Sequence, residues 1–395
     1  MRDIEFGSNL RGRPKIHCGS NSRTVVIASV GTSSEKDSAA DEVAKSMLAA
    51  HVGADVVTDH SFYGDIPSIH RAIVDKVDVA LSVVTAYEFA ATYKKREWIS
   101  ASPRTPIDLL EQQVERGIDL VTIHASLLCA DVANVDHNSR LIPTTSKGGG
   151  IIANYIRTTR RENPYYEYFD DILTTLAGTG VGISLGTTFR AASVCDGWDE
   201  LMSNEVRTMG ELVQRADGLG VPIMVEGFGH AAIDAIPTYI QLTKLYCHQA
   251  PYRVLPMATD RALGYDHISG AIAAAVAIAN GADAVTAMSR AEHIGLPTSA
   301  DMEEAIVAAK IAATSGELAK LGDYTSEEQM SRTRWAQGCK GDWSAAAHPP
   351  GAEHALKSRN RFDDQIIQCS MCGDFCGINA GIAAVKLGPT RLRDA

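Results

Sequence analysis

Three cysteines lie within eight residues near the end of the chain, at Cys369, Cys372 and Cys376. Three thiolates can hold a [4Fe-4S] cluster and leave one of its irons open to bind another molecule. A structural zinc site instead needs four ligands. The fourth zinc ligand could come from one of three other residues, Cys339, His348 or His354. The spacing favours the iron–sulfur cluster over zinc and over inert buried thiols.

A second candidate site combines a carboxylate with two imidazoles. Glu226 and His230 lie at the end of a predicted strand, and His267 lies where a helix should begin. Neutral imidazoles bind zinc, iron or cobalt, and two histidines leave coordination positions for substrate and water. The pair therefore indicates a second divalent metal, although histidines with ordinary structural hydrogen bonds fit the same residues.

The segment Ser146-Lys147-Gly148-Gly149-Gly150 is a third candidate site. Its consecutive glycines let backbone N–H groups approach an anion, and a helix is predicted to follow. The segment therefore indicates a phosphate site, with a flexible loop as the alternative.

The elements that must position these groups follow a βα rhythm, in which short β-branched runs alternate with longer segments of helical period. The predicted strands are Val25–Val30, Ala54–Asp59, Val79–Val84, Leu120–His124, Gly182–Leu185, Pro222–Glu226, Arg253–Met257 and Ala284–Met288. Eight such units predict an α/β protein with a (βα)8 TIM-type barrel, whose active site lies at the C-terminal ends of the strands. A doubly wound sheet is the alternative.

Polar residues at the predicted strand ends fit this barrel. They are Ser29, Thr58, Tyr87, His124, Arg190, Glu226, His230, Asp260 and Ser289. The barrel is predicted over residues 25–321, after an irregular N-terminal segment at 1–24. A helical or linker segment at 322–368, with its linker at 338–351, would lead to the cysteine-cluster tail at 369–395.

Charge and hydropathy exclude several classes of protein. Because Asp and Glu number 48 against 37 Lys and Arg, the formal net charge is -11, and a broad nucleic-acid-binding surface is not expected. The most apolar run, 270–279, is too short to span a bilayer. Without a secretory signal at the N-terminus, we expect a cytoplasmic protein, where a reducing compartment suits the isolated thiols.

Several phrases of the sequence occur together, and in this order, in one known family. They are Thr122-Ile123-His124-Ala125, Ser146-Lys147-Gly148-Gly149, Glu226-Gly227-Phe228-Gly229-His230, Cys247-His248-Gln249-Ala250-Pro251, Gly264-Tyr265-Asp266-His267, Glu292-His293-Ile294-Gly295-Leu296-Pro297 and Cys369-Ser370-Met371-Cys372-Gly373. From about residue 31 to residue 376, the chain resembles the phosphomethylpyrimidine synthase family of radical S-adenosylmethionine enzymes, which make the pyrimidine of thiamin.

The resemblance implies a homodimeric barrel in which the tail of one subunit covers the barrel of the other. It implies that the three cysteines hold a [4Fe-4S] cluster whose open iron binds S-adenosyl-L-methionine. An electron from a donor such as flavodoxin or ferredoxin would then yield a 5′-deoxyadenosyl radical. This radical would rearrange a small phosphorylated imidazole nucleotide, 5-aminoimidazole ribonucleotide, into hydroxymethylpyrimidine phosphate. His230 and His267 would bind the second metal, which is zinc in many family members.

The resemblance also assigns roles to individual residues. The catalytic group would comprise Cys369, Cys372, Cys376 and Glu226. The substrate-binding residues would be Ser29, Thr58, Tyr87, His124, Ser146, Lys147, Gly148, Thr187, Arg190, Glu226 and Tyr252.

Several of these positions depart from the family pattern, as in a divergent paralogue. The replacements are Ser29 for asparagine, Thr58 for methionine, Lys147 for arginine and Thr187 for aspartate. The family's tyrosine after Pro251 falls at Tyr252 or Arg253, because one residue is missing, and the cysteine spacing is one residue short. The alternative product is therefore 5-hydroxybenzimidazole, made by a known relative, or that of another imidazole-ribonucleotide radical lyase.

Two other functional classes are possible interpretations of the sequence, and each uses only part of the chain. A metal-dependent hydrolase barrel would use His124, His230 and His267 on a metal-bound water and would not need the thiol tail. A non-enzymatic zinc-tailed binding protein would need the tail but not the polar strand ends.

Overall fold

The structure is a computed structural model that describes residues 3–135, 139–337, 343–359, 371–372, 375–378, 380–381 and 385. Cys369 therefore lies outside the described residues. The contacts between residues divide the chain into one unit of residues 1–321 and another of residues 322–395.

Parallel strands close into a barrel within the first unit, which confirms the predicted (βα)8 fold. The hydrogen-bonded order follows the sequence, and the last strand pairs with the first, so the described sheet has no edge strand and is not doubly wound. The eight described strands are β3 Val25–Val30, β4 Val56–Asp59, β5 Ala80–Val84, β6 Leu120–Ile123, β7 Gly182–Leu185, β8 Ile223–Glu226, β9 Tyr252–Val254 and β10 Ala284–Thr286. Each overlaps a predicted strand.

Helices connect the barrel strands and carry capping residues at their ends. In the first helix, the Ser38 side chain accepts a hydrogen bond from the Asp41 amide, and Gly53 ends the helix with a φ of 104°. The helices of this unit are α1 Ala39–Val52, α2 Ile66–Lys76, α3 Thr85–Thr92, α4 Thr105–Glu115, α5 Cys129–Asn134, α6 Lys147–Thr159, α7 Pro164–Glu167, α8 Phe169–Leu176, α9 Glu200–Gly218, α10 Ile236–Tyr246, α11 Asp266–Ala279 and α12 Ser299–Leu321. None of the helices described has both the length and the apolarity that crossing a bilayer requires.

The second unit contains two described helices, α13 Thr325–Gln337 and α14 Pro349–Arg359. The sequence predicted a linker over 338–351, but α14 begins within it, at Pro349. Proline is tolerated in the first turn of a helix, because the N–H that it lacks would have no intrahelical partner there.

The sequence predicted an irregular N-terminal segment, and this prediction is wrong. The segment forms an antiparallel hairpin of β1 Asp3–Phe6 and β2 Ile16–Gly19. The hairpin buries Ile4 and Phe6 against apolar residues near the starts of the barrel strands. This lower layer comprises Val25, Ile27, Val56, Ala80, Leu120, Met224 and Ala284. The burial of Ile4 and Phe6 against this layer therefore stabilises the hairpin through the hydrophobic effect.

A polar layer lies above this apolar layer. Side chains on the same side of a strand recur every two residues, so hydroxyl residues two positions beyond the lower layer also face the barrel interior. We define the polar layer as Ser29, Thr58, Ser82, Thr122, Ser184, Glu226, Arg253 and Thr286. It places polar groups beneath the C-terminal opening, where the active site was predicted.

The hairpin's role can be tested with Phe6→Ala. Phe6 is fully buried, so removing its ring should cost about 3 to 5 kcal/mol of unfolding free energy, measured by urea denaturation. The control Leu10→Ala alters a side chain that is 70% exposed and should change the unfolding midpoint little. Equal stability of the two variants would show that the hairpin does not support the barrel.

Candidate active site

The C-terminal ends of β3 and β10, with the segments that follow β4 and β9, border a cavity of about 480 Å³. The polar layer contributes Ser29 and Thr286 to its lining. The loops above contribute His60 and Glu292, and α6 contributes its first residue, Lys147. The Thr58 hydroxyl is fully buried and, like that of Ser29, has no hydrogen-bond partner among the described residues. Two of the predicted substrate-binding residues, Ser29 and Lys147, therefore line one cavity.

Two glycines allow His124 to meet the start of α6. Its Nε2 lies 2.9 Å from the Ser146 hydroxyl, which accepts a hydrogen bond from the Gly149 amide. A Cβ atom at Gly148 would lie 2.2 Å from the imidazole, and one at Gly186 would lie 2.6 Å from it. Both positions therefore require glycine, and the predicted His124, Ser146 and Gly148 are brought together.

His124 is held as a neutral imidazole. Burial lowers its pKa to about 4, although the charge of Glu226 acts in the opposite direction. Its Nδ1 is buried and has no hydrogen-bond partner in the described part of the chain. This nitrogen therefore has a hydrogen-bonding capacity that no described residue uses.

Lys147 lies over two aromatic rings at the cavity wall. Its Nζ is 4.6 Å from the centre of the Phe62 ring and 5.4 Å from that of Tyr87, within the range of cation–π attraction. Burial lowers the pKa of Lys147, while Glu292 opposes the shift. His60 meets the Tyr87 ring edge-on at 5.5 Å. The aromatic wall thus positions a partly desolvated cation.

Glu226 is the centre of an ion-pair network. Its carboxylate lies 3.3 Å from Nη1 of Arg253 and 3.4 Å from Nη1 of Arg190, and Thr187 donates its hydroxyl to the Glu226 carbonyl at 2.6 Å. Burial acts to raise the pKa of Glu226, but Arg253, Arg190 and other favourable contacts outweigh it, and the pKa falls below its usual value. Glu226 is therefore a buried carboxylate that keeps its charge.

The structure corrects the prediction for Tyr252. The Tyr252 hydroxyl accepts a hydrogen bond from the Phe228 amide at 3.0 Å, and its ring packs in the core outside the barrel. Successive side chains of a strand point to opposite faces, so its neighbour Arg253 faces inward and donates from Nε to the Thr286 hydroxyl. Arg253, not Tyr252, therefore stands at the candidate site.

Glu205 supports the site, although the sequence analysis did not select it. This α9 carboxylate accepts hydrogen bonds from the amides of Thr188 and Phe189 at 2.6 and 2.7 Å. Burial raises its pKa to about 7, against the lowering effect of these amides. Glu205 thereby fixes the loop that carries Thr187 and Arg190. A carboxylate on the apolar face of α9, beside Met202, Val206 and Met209, was the available sequence signal.

His230 lies in a smaller cavity beside the first. Its Nδ1 is 2.7 Å from Asp260, and its ring centre is 5.2 Å from that of His293. His293 in turn contacts Asp266 at 3.2 Å. A histidine whose Nδ1 is held by a carboxylate presents Nε2 for metal binding, so this environment fits a metal ligand.

His267 is the second residue of α11, as the predicted helix start required. Its Nε2 lies 3.4 Å from Glu304, while its buried Nδ1 has no hydrogen-bond partner among the residues described. His267 is not among the residues that line the His230 cavity. No group of three or more histidine, cysteine or acidic side chains within the described ranges is arranged to hold a metal.

Two of the three tail cysteines are described. Cys372 is exposed and Cys376 is half-buried, and both are free thiols. A free thiol can become the thiolate that an iron ligand requires. The arrangement of all three lies beyond the described residues, because Cys369 is not among them.

Comparisons with known proteins extend over both units. A model of the radical SAM ThiC family matches residues 7–381. The phosphomethylpyrimidine synthase of Moorella thermoacetica is 36% identical over 367 residues, covering 91% of this chain and 84% of that protein. The enzyme of the same name from Desulforudis audaxviator is 35% identical over 382 residues, which cover 95% of this chain and 88% of that protein. The enzyme from Methanopyrus kandleri is 36% identical over 365 residues, which cover 91% of this chain and 85% of that protein.

These matches confirm the resemblance drawn from the sequence phrases. The radical SAM family implies an iron–sulfur cluster and S-adenosyl-L-methionine as cofactors. They also favour this assignment over a hydrolase barrel or a zinc-tailed binding protein. The chain is a radical SAM enzyme and belongs to the ThiC family.

Proposed function

We propose that the protein rearranges 5-aminoimidazole ribonucleotide, or a close analogue, in the synthesis of hydroxymethylpyrimidine phosphate for thiamin. The single observation that carries the substrate class is the convergence of His124, Ser146 and Gly148 at the start of α6, whose first residue, Lys147, lines the cavity. The phosphomethylpyrimidine synthases to which the chain is similar support the reaction type. An anaerobic assay with S-adenosyl-L-methionine, a reductant and the ribonucleotide tests the activity through 5′-deoxyadenosine and pyrimidine formation.

The phosphate of the nucleotide would bind at the start of α6. The first backbone N–H groups of a helix have no intrahelical acceptor and attract anions. Lys147 adds a positive charge in a partly buried position, and the imidazole of His124 supplies a hydrogen-bonding nitrogen. Gly148 keeps the approach to these groups free of a side chain.

The ribose and imidazole ring would bind toward Glu226. This carboxylate can accept hydrogen bonds from ribose hydroxyls or ring N–H groups. Arg190 donates a hydrogen bond to the Thr187 carbonyl at 3.0 Å and also contacts Glu226, so it would orient the Glu226 carboxylate. The closed interior would exclude water, which would otherwise react with radical intermediates.

Cys369, Cys372 and Cys376 would hold the [4Fe-4S] cluster, since three thiolates leave one iron for S-adenosyl-L-methionine. When bound, this cluster supplies the electron that generates a 5′-deoxyadenosyl radical. His230 and His267 would hold a second divalent metal, zinc, iron or cobalt, and the Asp260 contact would fix the His230 ring. The electron donor would be flavodoxin or ferredoxin, and the protein would act as a homodimer.

A 5-hydroxybenzimidazole synthase-like reaction is the second candidate. The observation that favours it is the changed ring end of the pocket, where Thr187 and Arg253 flank Glu226. Loss of an aspartate at Thr187 removes a charged acceptor, which alters the analogues that a buried site accepts. Product analysis by mass spectrometry distinguishes hydroxybenzimidazole from hydroxymethylpyrimidine phosphate.

The cluster ligands can be tested by single substitutions. Anaerobic reconstitution with iron and sulfide should give brown protein with about four irons per chain. Cys369→Ala, Cys372→Ala or Cys376→Ala should remove the colour and lower the iron content. Cys129→Ala, which removes a thiol of the barrel unit, is the matched control and should retain both. Stoichiometric zinc without iron uptake would contradict the assignment.

The phosphate site can be tested with Lys147→Ala. Loss of a charge-assisted hydrogen bond should weaken binding of 5-aminoimidazole ribonucleotide by about 1 to 3 kcal/mol, measured by isothermal titration calorimetry. Lys36→Ala, at an exposed position after β3, should leave the affinity unchanged. Equal affinities for the two variants, or tightest binding of an unphosphorylated analogue, would sink the proposed site.

The second metal can be tested by elemental analysis. His230→Gln and His267→Gln should each reduce the zinc, iron or cobalt bound outside the cluster, whereas exposed His51→Gln should not. Protonation of imidazole competes with metal binding, so the metal should leave below roughly pH 6. Unchanged metal content in both site variants would exclude the two histidines as ligands.

A further inference from the structure

The polar layer contains more hydrogen-bonding groups than it satisfies. Five of its hydroxyls have no hydrogen-bond partner among the described residues. These are Ser29, Thr58, Ser82, Thr122 and Ser184. Buried polar groups are normally paired, because an unmade hydrogen bond costs free energy. The layer is therefore built to face a polar occupant.

Arg253 brings an excess of positive charge into the same layer. Its side chain is 2% exposed, and Nη1 makes no hydrogen bond with a described residue, although it lies 3.3 Å from Glu226. Arg190 draws on the same carboxylate at 3.4 Å. Two guanidinium groups thus share one carboxylate, the only one within 4.0 Å of either group among the described residues.

The other charged groups nearby leave this excess in place, because Lys147 adds a third cation and Glu292, which interacts with Lys147 and Arg190, adds only a second carboxylate. The remaining titratable groups nearby are uncharged. Burial lowers the pKa of His124 to about 4 and that of His60 to about 3, so both are neutral at pH 7. Burial also raises the pKa of Tyr87 well above its usual value, which keeps the phenol uncharged. A buried cation without a matching anion is costly, so an anionic ligand group would stabilise this arrangement.

We propose that Arg253 and the hydroxyls of the polar layer form a second anion subsite, which binds a carboxylate at the end of the substrate opposite its phosphate. A planar guanidinium matches a carboxylate in shape, and charge-assisted hydrogen bonds are the strong ones. The hydroxyls can donate to the remaining carboxylate lone pairs. This inference rests on the proposed function, and it specifies a carboxylated imidazole ribonucleotide as the preferred substrate class.

The subsite predicts a specific effect of Arg253 on stability. In Arg253→Gln, Glu226 keeps Arg190 and the Thr187 amide, which lies 3.3 Å from its carboxylate. The remaining pair is balanced in charge. The thermal unfolding midpoint of the ligand-free variant should therefore equal or exceed that of the unaltered protein. A purely structural ion pair would instead show a marked drop in the midpoint, because removing one partner of a buried pair is strongly destabilising.

The decisive measurement is ligand binding to the full-length protein, without the reductant that would start turnover. The probes are 5-aminoimidazole ribonucleotide, its 4-carboxylate derivative and S-adenosyl-L-methionine, each titrated by calorimetry. The unaltered protein should bind the carboxylate derivative about tenfold to a hundredfold more tightly than the parent nucleotide. Arg253→Gln should abolish that preference, so that the two nucleotides bind with equal affinity, and S-adenosyl-L-methionine should bind as before. Exposed Arg261→Gln is the matched control and should retain the preference.

The outcomes separate this inference from the proposed function. If neither nucleotide binds, the proposed function fails and the subsite falls with it. If both bind equally, or if the preference survives in Arg253→Gln, only the subsite is overturned. Loss of S-adenosyl-L-methionine binding alone in Arg253→Gln would also overturn it, because the carboxylate would then belong to that cofactor.

Discussion

The candidate site depends on the division of the barrel interior into an apolar lower layer and a polar layer above it. Ile27 and Ser29, like Val56 and Thr58, are neighbours on the same side of a strand, and the change from apolar to polar occurs at the same height on both. The hairpin residue Phe6 completes the lower layer. With water excluded from below, charges such as Glu226 interact in a medium of low dielectric constant, which strengthens their ion pairs.

Sequence periodicity predicted the barrel because its strands are short, β-branched and separated by helical segments. The N-terminal hairpin escaped prediction because its stabilising contacts are distant in sequence. The Ser8 amide donates to Asp119 at 2.8 Å across 111 positions, and Arg11 pairs with the same carboxylate. Local propensity contains no information about such a partner, so these residues looked like an irregular polar segment.

The site residues that belong to a local sequence motif could be predicted. Those whose place depends on which face of a strand they occupy could not. The glycine segment and Glu226 could be selected directly, since a phosphate cradle and a strand-end carboxylate have local signatures. Choosing between Tyr252 and Arg253 required the face of β9, and a one-residue shift exchanges the two faces of a strand. Glu205 was missed because only its place on the apolar face of α9 marks it in the sequence, and its partners, two backbone amides of the loop after β7, are distant from that segment.

The geometry around Glu226 also explains how a buried carboxylate can remain charged without being rigidly paired to one residue. Desolvation opposes its charge, and two guanidinium groups together reverse that effect. Arg190 reaches the carboxylate from a loop whose amides are held by Glu205, whereas Arg253 reaches it from a barrel strand. One contact therefore depends on loop position and the other on the fixed sheet. Because Glu205 anchors the loop and the sheet anchors the strand, both guanidinium groups hold Glu226 from fixed positions.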